Sequence, residues 1–330
     1  MSNLLTLMVA AIVATPAAAQ QQGPASDAAS SLSGNSLAAA GIPPRQAAAL
    51  GYTVNTFHTG PWNAPKTIDW QDTGAIGFQW YLNKAFGGKP TPPSRLTVNR
   101  QGSLTLNGGE INAFSAPTSH GLGFGGGAYF EATFSFDPQS VAANPHNSWP
   151  AWWAMSLEHF LNLPGQHWTG QPSNVMHFAE MDFFEYDTWN WAGRNSYGGA
   201  THDWGGTWGI DASKKGWQYN YHNNNFVIRL PKDTDFTRPH RYGYLWRPAT
   251  ATSQGYAHYY FDGLPTTDKV TWSFYNPENP PPPPAATAPW KFGVNDCQHV
   301  ALILGTGMNQ PMTIHSVDVW QASSQANIKR

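Results

Sequence analysis

Charge is scarce in this chain. Lys, Arg, Asp and Glu together make up 12% of its 330 residues, about half of the roughly 25% usual for soluble domains. The balance is 18 basic against 20 acidic residues, a formal net charge of -2. Without a basic excess to neutralise phosphates, a nucleic-acid binder is excluded as the natural reading. No apolar run approaches the ~18 residues of a membrane-spanning helix, so no membrane partner is expected either. The shortage of Lys and Glu argues against coiled coils and helix bundles. Cysteine occurs once, at Cys297, so no intrachain disulfide can form, and the residue reads as a small buried hydrophobe. No Asn lies in an N-x-Ser/Thr context. The 12 His include no H-E-x-x-H pattern, and there is no cysteine pair, so neither a metal nor a cofactor is expected. A G-x-S-x-G nucleophile elbow is missing as well. Gly123-Phe124-Gly125-Gly126-Gly127 lacks the Lys-Ser/Thr of a phosphate loop and reads as a flexible turn.

What the chain has instead is aromatic side chains (14%, with 16 Trp), 32 Gly and 27 Pro. That is the composition of a loop-rich, all-β globular protein, long enough for one large sandwich with a sizeable core. Leu4–Val13 is an apolar run followed by Pro16-Ala17-Ala18-Ala19 and Gln20, a secretory signal with its small-residue cleavage pattern, although Met1-Ser2-Asn3 carries no Lys or Arg. The expected organisation is a signal peptide over 1–19, a flexible Ala/Ser/Gln-rich leader over 20–50 and one domain over 51–330. The chain is expected to be secreted, to the periplasm or outside the cell, and monomeric. Pro280–Pro284 read as a stiff surface loop within that domain, because 46 residues are too few to form a second core after it.

Short apolar alternations begin at about Tyr52. Arg95–Val98 and Ser103–Leu106 flank Gln101-Gly102 and predict a hairpin. Ala128–Phe136 alternates, with Phe130, Ala132, Phe134 and Phe136 on one face and Tyr129, Glu131, Thr133 and Ser135 on the other. Phe226–Leu230, Arg241–Trp246, Tyr256–Phe261, Val300–Leu304 and Thr313–Trp320 are further strand candidates, and a short helical turn is expected around Met155–Leu161.

The sharpest feature is His177–Tyr186, where Glu180, Asp182 and Glu185 stand in an otherwise apolar, aromatic segment. Alternation puts Glu180 and Asp182 on one strand face and Met181 on the other. Strict alternation would also send Glu185 into the core, where an unpaired carboxylate costs several kcal/mol. One β-bulge at Phe183-Phe184 removes that conflict by returning Glu185 to the acid face. Three like charges on one face still need compensation. Carboxyl groups whose surroundings push their pKa values apart can act as nucleophile and general acid, the chemistry of glycoside hydrolysis.

Here the chain resembles glycoside hydrolase family 16, the laminarinase- and β-glucanase-like enzymes. The Glu-x-Asp-x-x-Glu run is similar to that family's catalytic signature in its bulged form. Tyr129–Phe134, Trp149-Pro150-Ala151-Trp152-Trp153, His240–Trp246 with Tyr259–Gly263, and Ile314–Gln321 resemble its other strands, in order, over roughly residues 95–321. The resemblance implies a concanavalin A-like β-jelly roll of two antiparallel sheets with a concave substrate cleft. It implies Glu180 as nucleophile, Glu185 as acid/base and Asp182 as the residue that tunes the nucleophile. It does not extend to a Trp just before Glu180, nor to a short segment between Trp153 and Glu180, where Pro164, Gly165, Trp168 and Gly170 suggest an inserted loop. His315 stands where the family often carries a calcium-holding Asp, so no structural calcium is expected.

Sugar rings stack on aromatic planes and need polar partners for their hydroxyls. Trp149, Trp152, Trp153, Trp189, Trp191, Trp204, Trp208 and Trp217 gather around the acid segment, interleaved with Asn190, Asn195, His202 and Asp203. Trp153 and Trp189 are the expected sugar platforms, with Trp149 and with His202, in a Gly-rich loop, as further substrate-binding candidates. His177 reads as a structural residue. The expected function is endo-acting, retaining hydrolysis of a β-linked polysaccharide of β-glucan type. The alternatives are a transglycosylase on the same scaffold and a lectin-like sandwich that binds without turnover.

Overall fold

The alternation of Ala128–Phe136 is realised as a nine-residue strand at the centre of a sheet. Phe130, Ala132, Phe134 and Phe136 enter the main core, where each fully buried aromatic ring is worth about 1.5–3 kcal/mol. This computed structural model describes residues 41–84, 88–145, 148–157, 175–186, 195–207, 219–274, 293–323 and 327–329. The segments 1–40, 158–174, 187–194, 208–218 and 275–292 lie outside the described residues. With them go the expected signal peptide, most of the leader, Pro280–Pro284, and Trp168, Trp189, Trp191, Trp208 and Trp217. The side chains of His177, Asp203 and Trp204 lie outside as well.

The protein is an all-β jelly-roll sandwich. The first antiparallel sheet runs Leu264–Pro265, Gly255–Phe261, His240–Arg247, Ala128–Phe136, Met312–Gln321, Leu104–Leu106, Leu96–Val98. Val54–Thr59 joins it on Met312–Gln321, and Val270–Trp272 on Gly255–Phe261. The second runs Tyr219–Arg229, Ser196–Thr207, Val175–Glu185, Ala151–Ser156, Val300–Thr306, His120–Phe124, Asn327–Lys329. Gly109–Asn112 and Phe114–Ser115 attach to it. The inner faces meet in an aromatic core in which Phe130 stacks on Phe183 at 5.1 Å and Phe134 on Tyr242 at 4.1 Å.

The expected hairpin is present, with Leu96 opposite Leu106, and the other strand candidates lie within strands, except that Leu230 falls one residue past Tyr219–Arg229. Three local expectations need correction. Met155 and Ser156 belong to the strand Ala151–Ser156, held in the ladder by the strand Val300–Thr306, so the helical turn expected around Met155–Leu161 starts only at Leu157, and 158–161 lie outside the described residues. Gly123 and Phe124 end a strand, and Gly125–Gly127 make the connection to the next, with Gly126 and Gly127 at φ 73° and 95°. The leader expected to reach residue 50 gives way earlier, since Arg45–Ala48 form a helical turn. Ala47 is buried there among Tyr52, Tyr129, Leu245, Tyr256, Tyr260 and Trp320, on the outer side of the first sheet. Gln46 Nε2 donates to the Tyr129 hydroxyl at 2.7 Å. A methyl group is what fits against that aromatic layer, so the absence of large apolar residues was no sign of disorder here.

Candidate active site

The strand Val175–Glu185 carries the three acids, and its register places them. Glu180 faces Met155 and Asp182 faces Trp153, but Phe184 faces Trp152 and Glu185 faces Ala151, so Phe183 has no counterpart on that side. On the other side Glu180 faces His202, Asp182 faces Ala200 and Glu185 faces Gly198, again with a shift between the last two. This is the β-bulge that the position of Glu185 demands. Phe183 and Phe184 both point into the core: Phe183 lies on Phe130, and Phe184 meets Phe134 edge-on at 5.0 Å. Met181 is buried with them. Glu180, Asp182 and Glu185 therefore share the outer face of the second sheet.

That face is recessed. Asp182 is 3% exposed, and Glu180 and Glu185 are half-buried. Around Asp182, Trp153, Met155, Phe178 and Ile303 form a small apolar cluster of their own. Trp153 is 8% exposed within it. Burial pushes the Asp182 carboxyl up to about 8, which supplies the compensation that three clustered acids require. The raised Asp182 carboxyl favours its neutral form at neutral pH, which eases the like-charge problem. His202 Nε2 lies 3.1 Å from Asp182 Oδ2. His202 is not in a loop, as its glycine-rich surroundings suggested, but within the strand Ser196–Thr207. The glycines serve close approach: a Cβ on Gly199 would stand 2.6 Å from the Tyr259 ring. Tyr259 OH donates to the Ala200 carbonyl at 2.9 Å, and Thr201 Oγ1 and Tyr244 OH are 3.0 Å apart. The core thus pins this strand from behind.

Trp149, half-buried, places its indole N–H on Glu185 Oε1 at 2.9 Å. The Tyr186 N–H donates to the Pro150 carbonyl at 2.9 Å and continues the pairing past the end of the ladder. Of the expected site residues, the structure brings together Glu180, Asp182, Glu185, Trp149, Trp153 and His202; Trp189 lies outside the described residues. Asn195 is engaged elsewhere, with Nδ2 on the Lys232 carbonyl.

Two supporting residues escaped the sequence reading. Gln298 Oε1 accepts the Ala179 N–H at 2.9 Å, immediately before Glu180, where the neighbouring strand has ended. Gln298 is carried by a short turn, Val294–Cys297. That turn is anchored by Asp296, which accepts Trp246 Nε1 at 3.0 Å, Trp272 Nε1 at 2.8 Å and the Ala249 N–H at 2.8 Å. Burial nonetheless raises the Asp296 carboxyl to about 6. Nothing local in the sequence marks these contacts, since their partners lie 24 to 119 positions away.

The raised carboxyl of Asp182 has a measurable consequence. In the unfolded chain it would ionise near 3.8, whereas the folded chain keeps the proton up to about 8. Between those values the folded state binds the extra proton, so this group's contribution to stability falls as pH rises and levels off above pH 8. Melting temperature measured from pH 5 to 9 should decline more steeply for wild type than for Asp182→Asn. Parallel curves through that window would mean that Asp182 is already ionised in the fold.

Among the described residues no group of three or more His, Cys, Asp or Glu is arranged to hold a metal ion, and no helix is long and apolar enough to cross a membrane. No family model matches the chain, and no curated protein matches it. Solved structures give distant likenesses. An endo-1,3-beta-glucanase from Streptomyces sioyaensis is 16% identical at a TM-score of 0.45, covering 84% of this chain and 97% of its own. The metal-free Emp46p carbohydrate recognition domain is 9% identical at 0.37, covering 74% and 88%. A carbohydrate esterase from a Shiga toxin-encoding bacteriophage is 10% identical at 0.36, covering 82% and 99%. The functional reading therefore rests on the residues of this chain.

Proposed function

We propose that this protein is an exported, endo-acting glycoside hydrolase that cleaves a β-linked polysaccharide of β-glucan type with net retention. The observation that carries the reading is the bulge: it keeps Glu185 on the face of Glu180 and Asp182, where strict alternation would bury it. A binding surface has no use for that arrangement, whereas double displacement needs two carboxyl groups in different protonation states. In the first step a Glu180 oxygen attacks the anomeric carbon while Glu185 gives its proton to the departing glycosidic oxygen. In the second, Glu185 takes a proton from water, whose oxygen displaces Glu180 from the anomeric carbon. Asp182, in its favoured neutral form beside Glu180 on the strand, spares the attacking carboxylate a second like charge.

The register sets the distance. Glu180 and Glu185 face Met155 and Ala151, four strand steps apart, or about 13 Å between Cα atoms. Two long side chains leaning toward one another over Asp182 can bring their carboxyls to about 5–5.5 Å, the retaining separation. Upright, they would stand farther apart than the ~6.5–9.5 Å with which inverting enzymes admit a water. Incubation with a panel of β-linked polysaccharides, followed by proton NMR of the first product, tests this. The β-anomer is expected first from a β-linked substrate, and α-first product would reject the mechanism. Chain-lengthened products in the same spectra would instead mark a transglycosylase.

A further inference from the structure

Glu185 is held by a partner that can only donate. An indole offers one N–H and no acceptor. Trp149 Nε1 lies 2.9 Å from Oε1, so Oε1 is the accepting oxygen of the carboxyl. A carbonyl oxygen is a better acceptor than a hydroxyl oxygen, so in the protonated acid this contact favours the hydrogen on the other oxygen, Oε2. The local build supports a fixed geometry. Ala151 is the cross-strand neighbour of Glu185, and the Tyr186 N–H to Pro150 carbonyl bond extends that pairing one residue further. Trp149 follows directly, after Ser148 at φ 70° has turned the chain.

We propose that Trp149 is a positioning residue for the acid/base Glu185, selecting Oε2 as the proton-carrying oxygen and stabilising the carboxylate left when that proton departs. This rests on Glu185 being the acid/base of the proposed reaction. As the glycosidic C–O bond breaks, the Oε2 proton passes to the leaving oxygen and the electron pair of the O–H bond stays on Glu185. The indole N–H, already aimed at Oε1, strengthens as negative charge develops there, so it contributes more in the transition state than in the ground state. When water attacks in the second step, Oε2 recovers a proton and the original state returns. The ring of Trp149 is thereby committed to the enzyme's own carboxyl, whatever its face offers to a sugar.

Trp149→Phe separates the two roles, because Phe keeps an aromatic plane and loses the donor. Positioning predicts that the basic limb of the pH profile of kcat/KM moves up by ~0.5–1 unit, since the ionised form of Glu185 loses a hydrogen bond. It also predicts that kcat on phenyl β-oligoglucosides falls about 10-fold with KM unchanged, and that the deficit shrinks on 2,4-dinitrophenyl β-oligoglucosides, which need little acid assistance. An unmoved limb and unchanged kcat in Trp149→Phe, with KM raised in Trp149→Ala, would make Trp149 a sugar platform and overturn the proposal. Glu185→Ala on the same two substrates is the control: a defect in kcat/KM, which reports the acid-assisted first step alone, of equal size on both, or no turnover of either by wild type, rejects Glu185 as acid/base and removes the ground of the inference itself. Wild type supplies a measurement that does not depend on any Trp149 variant folding. The Trp149 indole N–H resonance should titrate together with the Glu185 carboxyl carbon, readily assigned among six glutamates, and should cease to do so in Glu185→Gln. An indole signal that is flat with pH in wild type overturns the proposal.

Discussion

Glu180→Gln should lower polysaccharide cleavage by more than about 10⁴-fold, because an amide cannot form the glycosyl ester on which double displacement depends. Glu185→Gln should lower it by ~10²–10⁴-fold, the usual contribution of a positioned proton donor and acceptor. Both substitutions are nearly isosteric and lie at half-buried positions on the outer face, so circular dichroism and melting temperature should change little. The difference between them is informative. Loss of the acid is partly recovered by a substrate with a good leaving group, and loss of the nucleophile is not. Asp182→Asn should be milder, since Asp182 favours its neutral form already and an amide reproduces most of a neutral carboxyl. If both Gln variants cleave as wild type does, the assignment of the site is wrong. If wild type cleaves nothing on the panel while wild type and both variants retain equal affinity for a polysaccharide, the lectin-like alternative takes its place.

How much of this could be read from the sequence follows the range of the interactions involved. The alternation of Ala128–Phe136 and the conflict between alternation and charge at Glu185 are local patterns, and both reappear in the register. The bulge was legible because only one placement of Phe183 and Phe184 keeps a third carboxylate out of the core. The neutrality of Asp182 was legible only as a need for compensation. Its means, burial on a face shared with neighbouring strands that place Trp153 opposite Asp182, is a long-range outcome. The same applies to Gln298 on Ala179 and to the Asp296 anchor. His202 was misplaced into a loop because glycine usually weakens strands. Here Gly199 instead makes room for a tyrosine from the opposite sheet. Ala47 was assigned to a leader because small side chains say nothing alone about the aromatic layer they fit.

Phe184→Ala should cost about 3–5 kcal/mol, the range for emptying a buried phenylalanine site. That corresponds to a fall in melting temperature of roughly 6–20 °C for a domain of this size. Phe184 is the residue whose fate depends most directly on the bulge. Under strict alternation from Glu180 it would point outward, and its removal would cost little, as for most surface positions. With the bulge it is fully buried, 4.7 Å from the Tyr197 ring, 4.6 Å from Tyr242 and 5.0 Å from Phe134. Those rings come from both sheets, so the side chain ties the acid strand to the opposite layer directly beside Glu185. Thr97→Ala, on an exposed strand position of the first sheet, is the control and should move the melting temperature by no more than about 2 °C. A Phe184→Ala protein that melts within that margin of wild type would place Phe184 outside the core. It would then turn Glu185 inward and dismantle the three-carboxyl face. The expected large loss, obtained in a protein that still binds oligosaccharide at low temperature, would establish the bulge as the device that lets one strand supply both a wall of the core and both reacting carboxyls.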